Sequence, residues 1–400
     1  MPDASNNNKI RYYIAAFLMD TALATGGIGI PLLAKREFHA SPLSIGLLAA
    51  IGAGAYVSCT ALAGHISDRI GRHAVMLLGV IVYCITYALI GLCPSLHLLF
   101  LLVIFSGVGN AMFWPCLEAA IADGTSRRRL PVRIGIFNVS WCSSIILGTW
   151  LGGRLHDAGP RLPFACAVVI SGLLALLLLL VAPPGEKRHV APSEEPDAVP
   201  FPAVSPALQQ VFMHMAWGAN FVAWGVLGTM RSLFPADAIS ERLRYTGQEA
   251  ALLVAAISTA QTLMFALLTV FHGWHYRIGF FVLAQISMMS GTALVAFSVS
   301  PGPLALGFLM IGAGAGVTYS SSIYYSLEGL HARGVKSGIH EAFLGAGVFA
   351  APTIGGWLAK TTGDLRAPYV MCVAFIALGL TWQVLMYLRA RRQPPGSGAP

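Results

Sequence analysis

Gly64-His65-Ile66-Ser67-Asp68-Arg69-Ile70-Gly71-Arg72 is a short polar interval between two long apolar stretches. Intervals of this kind recur along the chain and leave apolar spans near residues 12–34, 42–63, 73–92, 96–117, 134–153 and 163–182. A second set follows near 207–230, 246–271, 278–299, 304–326, 337–359 and 368–388. A helix rises about 1.5 Å per residue and the hydrocarbon core of a bilayer is about 30 Å thick, so each stretch is long enough to cross once.

Composition points the same way. Charged residues make up 10% of the chain and hydrophobic ones 56%, with mean hydropathy +0.70; a soluble domain carries about 25% charged residues. A soluble fold is excluded. The expected architecture is an all-α polytopic membrane protein of twelve transmembrane helices in two pseudo-symmetric six-helix bundles, residues 1–182 and 207–400. The connecting segment 183–206 is rich in proline and mixes Glu186, Lys187, Arg188, Glu194, Glu195 and Asp197. Such a segment has no apolar face to bury and reads as a linker.

Of the 25 Lys and Arg residues, 16 fall in segments on the side of the N-terminus. By the positive-inside rule both termini and the linker are expected in the cytoplasm, across a plasma (inner) membrane. The net charge of +8 is then a topological signal, because the basic residues sit at membrane edges, and a nucleic-acid partner is excluded. The first apolar stretch lacks a small-residue cleavage site and reads as a retained helix. The seven cysteines imply neither a disulfide framework nor a metal site, and no cofactor is expected.

The two halves resemble each other. Arg133-Ile134-Gly135-Ile136-Phe137-Asn138 aligns with Lys336-Ser337-Gly338-Ile339-His340-Glu341, and Gly148-Thr149-Trp150-Leu151-Gly152-Gly153 with Ala351-Pro352-Thr353-Ile354-Gly355-Gly356. Carriers are often built from such repeats and bind substrate where the repeats meet.

On the segment Gly64-x-x-x-Asp68-Arg69-x-Gly71-Arg72, at its place between the second and third spans, the chain resembles the major facilitator superfamily. Gly64 and Gly71 are expected to permit a tight reversal, with Asp68 pairing to Arg69 or Arg72. The resemblance implies that this loop latches the halves on the cytoplasmic side, and that the first, fourth, seventh and tenth helices line a central cavity. Three departures stand out. The equivalent loop of the second half, residues 272–277, retains almost none of the signature. Val103 occupies the position of an arginine that the family often carries before Gly107-Val108-Gly109. Gly148-Thr149 replaces the Gly-Pro of the Gly-Pro-x-x-Gly-Gly found in many exporters, which leaves only a weak hint of efflux.

Ionisable residues inside spans cost a few kcal/mol each unless they face a cavity or partner. Asp20 is the first candidate for a protonatable, substrate-facing carboxylate. Glu341 with His340 is the second candidate for proton coupling. Asn110, Trp114 and Glu118 recur at four-residue steps, with Glu118 near the inner edge and expected to be solvated. His214, Trp217, Asn220, Trp224 and Arg231 share one face of the seventh span, where two tryptophans flank an amide. Arg231 reads as an anion attractor or a snorkelling side chain. The tenth span is polar nearly all round, with Tyr319 and Ser322 as candidates, and Gln261 adds mild polarity to the eighth. The substrate-binding set is thus Asp20, Asn110, Trp114, Trp217, Asn220, Trp224, Gln261, Tyr319 and Ser322.

No Gly-x-Ser-x-Gly is present, and His340-Glu341 is followed by Leu344 where a zinc motif needs histidine, so an enzyme is not expected. The reading is a monomeric secondary active carrier for a small organic solute, working by alternating access, with H+ as the coupling ion. A non-transporting receptor or channel on the same fold is the alternative.

Overall fold

The computed structural model describes residues 4–122, 130–180, 204–271, 273–327 and 333–392. Twelve helices follow one another: α1 (Ala4–Arg36), α2 (Pro42–Ile70), α3 (Arg72–Gly91), α4 (Leu96–Ala122), α5 (Leu130–Ala158), α6 (Leu162–Leu180), α7 (Pro206–Ala238), α8 (Gly247–Val270), α9 (Ile278–Phe297), α10 (Pro301–Leu327), α11 (Arg333–Thr362) and α12 (Ala367–Arg392). Most of the expected linker lies outside the described residues.

Ten of these helices are long and apolar enough to cross a membrane; α5 and α7 fall short of that composition. Those two carry Asn138, Ser140, Ser143 and Ser144, or His214, Asn220 and Arg231. Their polarity is turned inward, except at His214, which is exposed. Large apolar side chains such as Leu78, Leu173, Leu263 and Leu378 are exposed on the outside, while Asp20, Asn220, Gln261 and Thr318 are buried. That inversion suits a chain whose surroundings are hydrocarbon.

An even number of crossings puts the start of α1 and the end of α12 on one side, called terminal below; the other side is distal. Local signals set the ends. Ser41 caps α2 by accepting from the Ser44 amide at 3.2 Å, with Pro42 at the first helical position. Thr246 and Glu249 form a reciprocal capping box on α8.

The α2–α3 junction corrects one expectation. Gly64 lies inside α2 with open space around it and takes no part in the reversal. Gly71 alone breaks the helix, at φ 96°, a value that side chains with a Cβ rarely adopt. Arg69 is exposed and Arg72 half-buried; the Asp68 side chain lies outside the described set.

Two helix pairs make most of the contact between the halves, α2 with α11 and α5 with α8, and α7 adds smaller contacts to α1 and α2. The repeat noted in the sequence lies on these seams. A methyl built on Gly153 would stand 2.7 Å from the Gly247 carbonyl oxygen at the start of α8, and one on Gly356 would stand 3.0 Å from Leu43 Cα at the start of α2. The second glycine of each aligned pair therefore lets a helix start of the opposite half approach its backbone. Asp157 adds a polar tie, accepting from the Gly247 and Gln248 amides at 2.8 Å each, and Arg154 donates to Gln248 Oε1 at 3.2 Å.

Each half also has a distal ion pair. Arg161 reaches the Glu37 carboxylate at 2.8 Å and the Gly91 and Cys93 carbonyls at 3.2 and 3.1 Å, tying three loops together. Its hydrogen bond to Glu37 raises the guanidinium above its ordinary value. In the second half Arg242 pairs with Asp237, whose carboxylate also accepts from the Tyr369 hydroxyl at 2.8 Å and from Ser240 Oγ at 3.4 Å.

The first pair is 41% and 28% exposed, the second only 11% and 4%. Asp237→Ala, which strands a buried guanidinium, should cost about 3–5 kcal/mol of stability. Arg161→Ala should cost about 1 kcal/mol or less, because solvent screens an exposed pair. Gly153→Val should cost about 1–3 kcal/mol by overpacking the α5–α8 seam. Thermal unfolding of detergent-solubilised protein checks the ranking.

Candidate functional site

Where the halves meet, the helices enclose a cavity of about 450 Å³ lined by α1, α2, α4, α5, α7, α8, α10 and α11. Its walls follow helical periodicity. Ser106, Asn110, Trp114 and Glu118 on α4, and Phe137, Trp141, Ile145 and Thr149 on α5, line it almost entirely at four-residue steps, the spacing that keeps side chains on one face.

An aromatic cluster bridges the halves. Trp141 meets Phe265 and Tyr319 with ring centroids 5.8 and 6.0 Å apart, and Trp224 meets Tyr319 at 6.0 Å. Trp141 is held by its own indole N–H, which donates to Asn138 Oδ1 at 3.0 Å. Such rings offer stacking surface at little conformational cost.

Four acidic or basic side chains face this space: Asp20, Glu118, Arg231 and Glu341. Asp20 and Arg231 come from opposite halves. The Arg231 guanidinium lies 5.7 Å from the Trp224 ring centroid and reaches Ser258 Oγ at 3.5 Å, while its buried Nε has no hydrogen-bond partner. Glu118 and Glu341 again come from opposite halves. Glu341 Oε1 lies 3.7 Å from His340 Nε2.

Of the sequence candidates, Asp20, Asn110, Trp114, Trp224, Tyr319 and Glu341 line the cavity, and Trp217, Asn220, Gln261, Ser322 and His340 do not. The α7 stripe shares a face but differs in depth. Trp217, two turns below Trp224, is covered by α10 and α11, donating to Ser326 Oγ at 2.9 Å and stacking on Phe343. His340 Nδ1 meets Ser322 Oγ at 2.7 Å and Asn220 Nδ2 at 3.4 Å, so these three form a packed polar knot behind the wall. Gln261 is fully buried in α8.

The all-round polarity of the tenth span has a local explanation. Thr318, Ser321 and Ser326 donate to carbonyls of their own helix at 2.7–3.0 Å, which absorbs their polarity without facing the cavity. Glu118, expected at a solvated helix end, is exposed and also lines the cavity. Arg231 does not snorkel away; a helical side chain leans toward the N-terminus of its helix, which carries this guanidinium inward. Tyr56 and Trp141 were not among the candidates. The four-residue step through Phe137, Trp141, Ile145 and Thr149 was the available signal for Trp141; Tyr56, a lone phenol in an apolar run, had none.

The model of the Major Facilitator Superfamily matches residues 12–339. Multidrug resistance protein 1 of Bacillus subtilis (strain 168) is 24% identical across 94% of this chain and 98% of that protein. The class D tetracycline resistance protein of Salmonella ordonez is 27% identical across 44% of this chain and 47% of its own length. Among solved structures, a bacterial homologue of the human lysosomal transporter Spinster, inward-facing and occupied, superposes with TM-score 0.72 at 16% identity, covering 99% of this chain and 100% of that one. The nucleoside transporter NupG gives TM-score 0.69 at 13% identity, over 95% and 99%. Twelve helices around a cavity shared by two halves, with a family match over most of the length, lead to one conclusion: the chain belongs to the Major Facilitator Superfamily and is a multi-pass membrane transporter, not an enzyme.

Proposed function

We propose that this chain is a secondary active exporter that moves an amphiphilic small organic solute across the plasma membrane by alternating access, in exchange for H+. One observation carries the reading: Asp20, Glu118 and Glu341 stand in a single aromatic-walled cavity formed by both halves. Aromatic faces take up the apolar body of a solute, and the carboxyls provide groups that a proton and a basic substrate group can occupy in turn. Asp20 is the first coupling carboxylate and Glu341 the second, with His340 beside Glu341 as its positioning partner. Relatives whose names specify multidrug and tetracycline resistance support efflux of organic compounds.

Orientation follows from the basic-residue asymmetry, with both termini and the linker cytoplasmic. The seams at Gly153 and Gly356 and the Asp157 tie then close the outer side. The α2–α3 segment with Arg69, Gly71 and Arg72 is assigned as the latch that secures the cytoplasmic side when the cavity turns outward. One chain supplies both halves of the cavity, and a monomer is the proposed working unit.

In proteoliposomes under an imposed pH gradient, Asp20→Asn should reduce gradient-driven transport by about tenfold or more while the variant still folds and inserts. Gradient-driven transport at the wild-type rate would remove Asp20 from coupling. Trp224→Ala should weaken the binding of an aromatic ligand, read by tryptophan fluorescence. Trp217→Phe, which only loses the bond to Ser326, should cost about 1 kcal/mol of stability with ligand affinity retained; the reverse pattern would contradict the assignment of the cavity wall.

A further inference from the structure

The charges in the cavity are sorted along its axis. Arg231 lies seven residues from the distal end of α7, a rise of about 10 Å. Glu118 and Glu341 lie 22 and 21 residues from the distal ends of α4 and α11, or about 32 Å. Asp20 lies 16 residues from the distal end of α1, or about 24 Å. The cationic group thus hangs from the distal half and the two glutamates stand toward the terminal side, with Asp20 at an intermediate depth and aromatic rings between.

The guanidinium is also under-used. Arg231 carries five N–H donors, yet forms only the 3.5 Å contact to Ser258 and rests against Trp224, with Nε unpartnered. Among the described residues it makes no ion pair, although Asp20 lines the same cavity. Arg231 is partly buried, and its buried Nε–H left without an acceptor is an exception that calls for a ligand; the planar fork of arginine matches a carboxylate.

Resting on the carrier reading above, we propose that this cavity selects amphoteric aromatic solutes, with the acidic group seated on Arg231 and the basic group lying toward Glu118 and Glu341. The aromatic body spans Trp224, Trp141 and Tyr319. A solute with only one of the two charges leaves one end of the cavity uncompensated. Both ends therefore contribute to choice, and the solute enters in one orientation.

The test uses a rigid biphenyl carrying an aminomethyl group at one end and a carboxylate at the other, with its methyl ester, its N-acetyl derivative and the doubly blocked compound. Binding of each to the purified full-length protein is followed by tryptophan quenching. The amphoteric parent should bind tightest. Arg231→Met should weaken the parent and the N-acetyl acid by about tenfold or more and the ester far less. Glu118→Gln with Glu341→Gln should do the converse, and Arg231→Lys should restore part of the acid preference.

Equal loss of all four probes in Arg231→Met would mark Arg231 as a structural counter-charge and overturn the inference. So would an ester that binds the wild type better than the parent. Failure of every probe to bind also overturns it. The carrier reading fails separately, if no pH-gradient-driven transport of any organic cation or amphoteric compound is found in proteoliposomes.

Discussion

A bilayer offers no hydrogen bonds, and that single deprivation organises this molecule. Backbone polarity is settled by coiling every span into a helix. Side-chain polarity must then be settled between helices, so Asp20, Asn110, Glu118, Arg231 and Glu341 all turn toward one shared interior, while Leu78, Leu263 and Leu378 meet the lipid. The cavity is therefore the place where two bundles pool the charges that neither could expose on its own.

The bundles meet by the same devices that pack each within itself. Aromatic side chains interlock inside a half, as in the stack of Tyr83 on Tyr87 or the Phe234–Phe308 pair, and across the halves, where Trp141 meets Phe265 and Tyr319. Glycines bring backbone close inside a half, as at Gly79 against Gly109 and Gly291 against Gly307, and between halves at Gly153 and Gly356.

Much of the fold was legible because hydropathy is a property of whole spans, and twelve crossings survive errors of several residues at their ends. The same tolerance hides detail. Gly64 was read as part of a turn because spacing along a motif does not reveal where a helix stops; α2 runs on to Ile70, and only the φ of Gly71 marks the break. In the site, helical steps told which residues share a face, and Trp114 and Trp224 were found that way, whereas Asp20 was found as a carboxylate inside an apolar span. Periodicity carries no information on depth. Trp217 and Asn220 share the face of Trp224 yet sit where α10 and α11 cover them. For Glu118 the solvated helix end was legible, but not the fact that a helix of the other half brings Glu341 and a cavity to it.

The Asp157 tie has a consequence for the energetics of opening. It caps the first amides of α8, which at any helix start lack an intrahelical acceptor and would otherwise bind water. In the proposed alternating access the distal ends part, solvent takes the place of that carboxylate on the same N–H groups, and the carboxylate itself is rehydrated. Such an exchange swaps one set of hydrogen bonds for another of similar strength, so the tie can hold the distal side shut and still release without a large penalty.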